Sequence, residues 1–129
     1  MRIHRKIKPF FSDSRGNISH ILPDETPVTS VVLITSKKGA VRANHYHKKD
    51  THHVYMIKGK MKYTYKKNSS GSSKRDLIIS EGEIITTPPL TTHAMEFLED
   101  STFIALTTEA RDRKRYEEDT VRVDFVKNE

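Results

Sequence analysis

The chain has 129 residues, of which 34% are hydrophobic and 31% are charged, and it contains no cysteine. The length fits one domain, residues 1–129, with a single modest core, and the lack of cysteine excludes disulfides, thiolate chemistry and cysteine-ligated zinc. The formal charge of +6 is compatible with a nucleic acid, an anionic small molecule or a solvated surface; we expect no nucleic-acid partner, because no helix-turn-helix or RNA-recognition pattern accompanies the charge.

The hydropathy pattern gives no sign of a membrane segment. No run of about 18 apolar residues occurs, and the N-terminal stretch MRIHRKIKPFF lacks the apolar core of a signal peptide. We therefore expect a cytoplasmic protein with no membrane contact.

Short runs of β-branched and aromatic residues, bounded by Gly, Pro, Asn, Asp or Ser, predict about ten strands. In chain order they are RIHRKI (2–7), NISHIL (17–22), VTSVVLIT (28–35), VRANHYH (41–47), THHVYMI (51–57), KMKYTYK (60–66), RDLIIS (75–80), EIIT (83–86), HAMEFL (93–98), STFIALTT (101–108) and TVRVDFV (120–126). Strands this short, with a turn signal every 8 to 12 residues or so, favour an all-β sandwich or barrel.

The connections are predicted from turn residues. Gly59 and Gly82 each separate two strand patterns and predict hairpin turns, so that the chain would form a meander closing on itself. Pro88-Pro89 should lie at a rim, and NSSGSSK (68–74) should be a flexible hairpin tip. The charged segment 109–118 is the candidate for a short surface helix or turn.

Four of the seven histidines lie within nine positions. His45 and His47 are two residues apart, so on a strand both side chains leave the same face, roughly 6.5 to 7 Å apart, which suits chelation. His52 and His53 must point in opposite directions on the next strand, so one of them can join the pair. His93 is a fourth candidate, after the TTPPLTT corner.

The spacing Gly39, five residues, His45-Tyr46-His47, four residues, position 52, six residues, Gly59 resembles the first cupin motif, with His52 where that family usually has glutamate. The second cupin motif is similar to the stretch from Gly82 through Pro88 to His93, with Leu90 and Phe97 replacing its usual glycine and asparagine. The resemblance implies an all-β double-stranded β-helix (a jelly-roll barrel), usually a homodimer.

The resemblance also implies a metal held inside the barrel. Its ligands here would be His45, His47, His52 and His93, with Glu83 or Glu96 as a possible replacement acid, while His53 is expected to point outward. An all-imidazole set suits a divalent transition metal (Zn, Fe, Ni or Cu).

A narrower resemblance concerns cupins that act on sugar nucleotides. FFSDSRGNISHI (10–21) is similar to the opening of dTDP-4-dehydrorhamnose 3,5-epimerases and 4-keto-6-deoxyhexose 3,4-ketoisomerases, and GAVRANHYHK (39–48) is similar to a ketoisomerase stretch and to the cupin domain of capsular-polysaccharide reductases. ARDRKRYEEDTVRV (110–123) resembles the tails of small sugar-pathway cupins. This resemblance implies an enzyme, an isomerase or epimerase acting on a nucleotide-linked 4-keto-6-deoxy sugar in polysaccharide biosynthesis.

In the manner of that family, His47 would be the base and Arg15 and Arg42 would bind the anionic nucleotide-sugar, since arginine binds two phosphate oxygens at once. The candidate proton donors are Tyr55, Tyr63 and Tyr65. Each residue also has a plain structural interpretation: Arg15 as a turn residue, Tyr63 and Tyr65 as core residues. Arg42 has the wrong strand parity to join His45 unless the strand is irregular.

Two other functions stay open at this point. Enzymes of the sugar-nucleotide type generally work without metal, so the cofactor is either a transition metal or none. A catalytic metal would instead indicate an enzyme resembling metal-dependent cupin dioxygenases. A third possibility is a metal-binding or ligand-binding cupin without turnover.

Overall fold

The computed structural model describes residues 4–126, and this part of the chain is almost entirely antiparallel β structure. In chain order the elements are β1 (His4–Lys6), β2 (Phe11–Asp13), β3 (Gly16–Ile18), β4 (Ser30–Ser36), β5 (Val41–His47), β6 (His52–Lys58), β7 (Lys60–Lys67), β8 (Arg75–Ser80), β9 (Glu83–Thr87), β10 (Thr91–Phe97), β11 (Ser101–Thr107), α1 (Arg113–Asp119) and β12 (Thr120–Arg122). The predicted all-β class is therefore confirmed. The first two residues of the predicted strand 2–7 lie outside the described residues.

Two five-stranded sheets enclose the core. The first has the strand order β1-β9-β6-β11-β4 and the second has the order β12-β5-β10-β7-β8, while β2 and β3 form a separate hairpin. From β4 onward, strands that follow each other along the chain, such as β5 and β6, lie in different sheets, with the exception of β7 and β8. The chain thus crosses repeatedly between the two sheets, as in a jelly roll.

This topology corrects the predicted hairpins and the predicted meander. The chain turns at Gly59 and Gly82, but each turn passes from one sheet to the other, since β6 does not pair with β7 nor β8 with β9. Alternation alone does not say which strand a run pairs with, and hence could not reveal the crossing. The hairpin between β7 and β8, with residues 68–74 at its tip, is confirmed by direct pairing of these strands.

Some predicted elements have different bounds. The run 17–22 is a strand only up to Ile18, and the run 120–126 only up to Arg122. The helix begins later than predicted, at Arg113, because the Asp112 side chain accepts a hydrogen bond from the backbone N–H of Arg115 and caps the helix there. Pro88 and Pro89 follow the last residue of β9, at a rim as predicted.

Alternating residues of both sheets fill the core. On β6, Val54 and Met56 point inward, and the Phe97 ring of β10 stacks on the Phe103 ring of β11 at 5.7 Å between centroids. Each large apolar side chain buried in this way stabilises the fold by roughly 1.5 to 3 kcal/mol. Because the two phenylalanines belong to different sheets, their contact holds the sheets together at one end.

Gly59 allows the chain to cross between the sheets. Its φ is 100°, a left-handed conformation that favours glycine. A Cβ atom here would overlap the Ser101 side chain and lie 2.7 Å from the carbonyl oxygen of Asp100. The close approach of the β10–β11 connection therefore excludes any larger residue.

No helix among residues 4–126 has the length and apolar character needed to cross a membrane.

Candidate functional site

Four histidines meet between the two sheets, and we call them the histidine cluster: His45, His47, His52 and His93. His45 and His47 lie on β5, His93 lies opposite His45 on the neighbouring strand β10, and His52 comes from β6 of the other sheet. All four are buried, and His93 is completely so. The strand alternation that places His52 inside also turns His53 to the other face, where its Nδ1 lies 2.8 Å from the Thr86 hydroxyl.

The rings of the cluster touch one another. The His45 ring centroid lies 4.5 Å from that of His47 and 4.8 Å from that of His93, and the His52 and His93 centroids are also 4.8 Å apart. The Nε2 atoms of His47, His52 and His93 are buried and have no hydrogen-bond partner in the part of the chain that the structure describes. Buried polar atoms are normally paired, so three unpaired nitrogens in one place indicate that this site receives a ligand.

Hydrogen bonds at the outer nitrogens fix the protons of two rings. The Thr120 hydroxyl donates to the carbonyl oxygen of Tyr116 at 2.5 Å, so its oxygen accepts from Nδ1–H of His47 at 3.2 Å. Nδ1–H of His93 donates to the carbonyl oxygen of Thr91 at 2.9 Å. A neutral imidazole carries one proton, so the Nε2 atoms of His47 and His93 both present a lone pair to the cluster.

His52 has a different partner. The guanidinium of Arg111 lies 3.3 Å from Nδ1 of His52 and 3.2 Å from the buried carboxylate of Asp50. Asp50 also accepts hydrogen bonds from the backbone N–H of Glu109 and the hydroxyl of Thr108. Arg111 is therefore held in place between a buried carboxylate and the edge of the cluster.

Burial keeps the cluster neutral. Loss of hydration lowers the pKa of His45 to about 2, with a further contribution from the neighbouring His93. Burial likewise lowers the pKa of His47 to about 4, Arg111 lowers it further and Asp119 opposes the shift. The pKa of His93 also falls to about 4 through burial, and that of His52 falls well below its usual value for the same reason.

A cavity of about 130 Å³ opens beside the cluster. His45, His52, Arg42, Arg111 and Tyr116 contribute to its wall. The Tyr116 ring lies 5.6 Å from the His47 ring, and the Arg111 guanidinium lies 4.8 Å from the centre of the Tyr116 ring. The wall thus combines two imidazoles, two guanidinium groups, the rings of Tyr116 and Phe103 and several aliphatic side chains. His47 lies behind this wall, in ring contact with His45 and Tyr116, which do line the cavity.

An irregularity in β5 brings Arg42 to this cavity. Ala43 and Asn44 both have positive φ, 73° and 54°, and the pairing of β5 with β10 shifts register beside His93. The bulge reverses the alternation between Arg42 and His45, so that both line the cavity. The Arg42 guanidinium is held by the Ser36 hydroxyl at 2.6 Å and the Thr35 carbonyl oxygen at 2.9 Å.

Other predicted site residues lie elsewhere in the chain. Arg15 is exposed on the β2–β3 hairpin and forms a two-point ion pair with Asp13, as its interpretation as a turn residue anticipates. Tyr55 shares the outward parity of His53 on β6. The structure brings neither residue to the cavity.

Tyr63 and Tyr65 both point toward the core. Tyr63 is fully buried, its hydroxyl bonds that of Thr87, its ring stacks 5.9 Å from the His93 ring, and burial raises its pKa. Tyr65 packs against the core cluster and against the Tyr63 ring at 5.7 Å. Both belong to the packing around His93 rather than to the cavity wall.

The sequence interpretation missed four residues near the cluster: Asp50, Arg111, Tyr116 and Asp119. Asp119 lies 3.7 Å from Nδ1 of His47 and accepts hydrogen bonds from the backbone N–H groups of Lys49 and Asp50. Three of the four lie at or next to α1, about 60 to 70 residues beyond the histidines with which they interact. The one local signal was Asp112, a helix N-cap residue that could have placed the start of α1.

The residues able to hold a metal form two overlapping groups. Ligand atoms of His45, His47 and His93 lie within 4.8 Å of one another, as do those of His47, Asp50 and His52. The lone pairs on Nε2 of His47 and His93 suit a transition metal. His52 suits it less, because its Nδ1 accepts from Arg111 and its Nε2 must then carry the proton. Glu83, the replacement acid suggested from sequence, instead bonds His4 and the backbone N–H of Ser80.

The jelly-roll barrel with inward histidines on adjoining strands is the fold of the cupins. More narrowly, residues 11–121 match the family of the polysaccharide biosynthesis C-terminal domain. The chain belongs to this family.

Solved structures share the fold at low sequence identity. A sugar 3,4-ketoisomerase from Thermoanaerobacterium thermosaccharolyticum in complex with TDP is 20% identical, with a TM-score of 0.74, over 94% of this chain and 87% of the other. The dTDP-4-dehydrorhamnose 3,5-epimerase from Sulfolobus tokodaii is 22% identical, with a TM-score of 0.70, over 86% and 72%. A 3'-monoepimerase from Streptomyces bikiniensis in complex with dTDP-quinovose is 18% identical, with a TM-score of 0.73, over 87% and 66%. No curated protein sequence matches the chain.

Proposed function

We propose that this protein is an isomerase or epimerase acting on a nucleotide-linked 4-keto-6-deoxy sugar in polysaccharide biosynthesis, with His47 as the base. The observation that carries the proposal is the environment of His47, whose Nε2 lone pair faces the cluster while Nδ1–H is held by Thr120 beside Asp119. Burial lowers the pKa of His47 to about 4, so the ring is neutral and its Nε2 is free to accept a proton near pH 7, and Asp119 opposes this shift by favouring the imidazolium that forms. The folds and ligands of the solved neighbours support the same class of substrate.

The reaction begins with removal of the acidic proton on the carbon next to the keto group. His47 takes this proton at Nε2, and the electron pair of the broken C–H bond moves to the keto oxygen, forming an enediolate. Asp119 favours the charged imidazolium that results, and the oxyanion develops in a cavity whose wall includes His52. Return of the proton to the other face of the same carbon gives the epimer. Return to the former keto carbon, with transfer of the hydroxyl proton of the neighbouring carbon to the former keto oxygen, gives the isomer.

The second proton transfer needs a donor in the same cavity. Tyr116 lines the cavity beside His45, whereas Tyr55, Tyr63 and Tyr65, the tyrosines suggested from sequence, do not contribute to its wall. We therefore assign the donor role in this proposal to Tyr116. Tyr63 helps to position the His93 ring, on which its own ring stacks.

The size of the cavity suggests how such a substrate would lie. About 130 Å³ accepts part of a sugar but not a nucleotide. Arg42 also lines an adjoining surface cavity of about 500 Å³ together with Lys37 and Lys58. In this proposal the diphosphate passes Arg42, and the nucleotide occupies the second, basic cavity.

The expected homodimer stays part of this proposal. The β2–β3 hairpin lies outside both sheets, and Phe10, Phe11 and Ile18 on it are exposed. A second copy covering these side chains would remove apolar surface from water. Arg15, which lies on the same hairpin, would then contribute to substrate binding only across that interface.

A second candidate is a metal-dependent cupin, favoured by the mutual approach of His45, His47 and His93. These three residues would hold a divalent transition metal (Zn, Fe, Ni or Cu), which supplies a Lewis acid for a keto oxygen or an open position for dioxygen. His52, protonated at Nε2, would then face the metal site without binding the ion. The third alternative is a cupin that binds a ligand without turnover.

The test is proton exchange at the sugar. The full chain is incubated in D₂O with dTDP-4-keto-6-deoxyglucose, and deuterium at the carbon next to the keto group is followed by NMR together with any new sugar. We expect exchange in the parent protein and loss of about 100-fold or more in His47→Asn. His53→Asn, on the opposite face of β6, is the matched control. Absence of exchange in the parent protein, with binding of the nucleotide intact, would favour the binding module instead.

A further inference from the structure

We propose that Arg111 holds His52 in the tautomer with the proton on Nε2, so that His52 is the hydrogen-bond donor of the histidine cluster. Arginine has only donors, so the contact of 3.3 Å between its guanidinium and Nδ1 of His52 makes that nitrogen an acceptor. The single proton of the neutral ring then resides on Nε2. Arg111 itself is a positioning residue in this arrangement.

The cluster therefore contains two kinds of nitrogen. His47 and His93 donate through Nδ1 to Thr120 and to the Thr91 carbonyl, and each presents a bare Nε2. His52 accepts at Nδ1 and presents an N–H. Three of the four histidines are thus divided into two bases and one donor by the groups on their outer side.

Among residues 4–126, no group accepts a hydrogen bond from Nε2 of His52. Its Nε2 is buried, unpaired and part of a side chain that is only 3% exposed. A buried N–H without an acceptor is costly, so it marks a place for a ligand oxygen. Resting on the proposed function, that oxygen is the keto oxygen of the sugar, which becomes the enediolate oxyanion when His47 takes the proton.

Arg111 can fill this role because it is fixed on its other sides. Its guanidinium pairs with the buried carboxylate of Asp50 and packs over the Tyr116 ring at 4.8 Å. Asp50 is held in turn by Thr108 and by the backbone of Glu109. Asp50 therefore fixes the position of Arg111, and Arg111 in turn fixes the orientation of the His52 ring.

The test reads the tautomer directly. In full-length protein labelled with ¹⁵N-histidine, long-range ¹H–¹⁵N correlation spectra near pH 7.5 distinguish a protonated ring nitrogen from a bare one. We expect one ring with bare Nδ1 and protonated Nε2, identified as His52 by its disappearance in His52→Gln. In Arg111→Met we expect this ring to lose its fixed tautomer, while Arg115→Met, which removes an exposed arginine of α1, leaves it unchanged.

The variants are chosen to separate positioning from folding. Because Arg111→Met leaves Asp50 buried and unpaired, the double variant Asp50→Asn/Arg111→Met removes the buried charge as well, and we expect the same loss of tautomer in it. A protonated Nδ1 on His52 in the parent protein would overturn the inference, as would an unchanged His52 in the folded double variant.

Turnover gives a second, separate readout. In the exchange assay, loss of an oxyanion donor lowers the rate constant by about 100-fold or more, so Arg111→Met should lower kcat with little change in KM. The tautomer is measured without substrate. A fixed tautomer with no exchange in any variant would therefore support the positioning of His52 and count against the proposed reaction.

Discussion

The buried histidines make the stability of this protein depend steeply on pH. In the unfolded chain a histidine titrates near a pKa of about 6.5, whereas in the folded protein burial lowers the pKa of His45 to about 2 and those of His47 and His93 to about 4. The pKa of His52 is lowered in the same direction. Near pH 5 the unfolded chain therefore binds about three more protons at His45, His47 and His93 than the folded cluster does, and His52 adds to the difference in the same direction.

The sign follows from which state holds the extra protons. Because the folded-state pKa values lie below the unfolded ones, the free energy of unfolding is highest above about pH 6.5, where the histidines are neutral in both states. It falls as the pH decreases toward the folded-state pKa values. One proton corresponds to about 1.4 kcal/mol per pH unit, so three protons give a slope that approaches roughly 4 kcal/mol per pH unit near pH 5. Because a domain is stabilised by only about 5 to 15 kcal/mol in total, the protein should unfold before pH 4.

The measurement is urea denaturation followed by circular dichroism at several values between pH 5 and pH 7.5, with chelator present so that no bound metal adds stability. We expect the free energy of unfolding to fall with the slope given above. His93→Asn, whose amide can still donate to the Thr91 carbonyl, should reduce the slope by about 1.4 kcal/mol per pH unit. His20→Asn, at an exposed position on the surface, is the control. A slope of less than about one proton in the parent would refute the inference that the folded cluster is neutral.

Two further predictions concern the metal and the crossing between the sheets. The three-histidine metal site predicts near-stoichiometric Zn, Fe, Ni or Cu, by plasma mass spectrometry, in protein purified without tag or chelator, and its loss in the His45→Ala/His47→Ala double variant; equal metal in both preparations would contradict the site. Gly59→Ala should lower the free energy of unfolding by roughly 1 to 3 kcal/mol more than Gly71→Ala, because both have positive φ but only Gly59 has neighbours where the Cβ would lie. Equal losses in urea denaturation would show that the contact with Ser101 is not what requires glycine.

The parts of the site that follow from strand alternation could be predicted from sequence. The two-residue spacing puts His45 and His47 on one face, and the opposite parity of His52 and His53 separates them. The bulge at Ala43 and Asn44 could not be predicted in this way, because no residue within the run marks the reversal. Regular alternation therefore counted against Arg42, a substrate-binding candidate that lines the cavity through this irregularity.

The segment around α1 illustrates a different limit. Its residues are charged throughout, and nothing in their order shows that Arg111, Tyr116 and Asp119 turn inward to the cluster. Their partners lie far away along the chain, on β5, β6 and the connection between them. Contacts of this kind come from the three-dimensional path of the chain, which a one-dimensional pattern does not contain. Thr120 is the last of these contacts, and it fixes the proton of His47.

The histidine cluster is divided between the two sheets, with three histidines on one sheet and one on the other. His45, His47 and His93 share one sheet and are tied to each other by strand register, whereas His52 enters alone from the other. Position 52 can therefore exchange an imidazole for a carboxylate without moving the other three rings. Substitution of His52, together with the Arg111 that contacts it, would change the cluster from proton transfer to metal binding. The strands that form the barrel would stay the same.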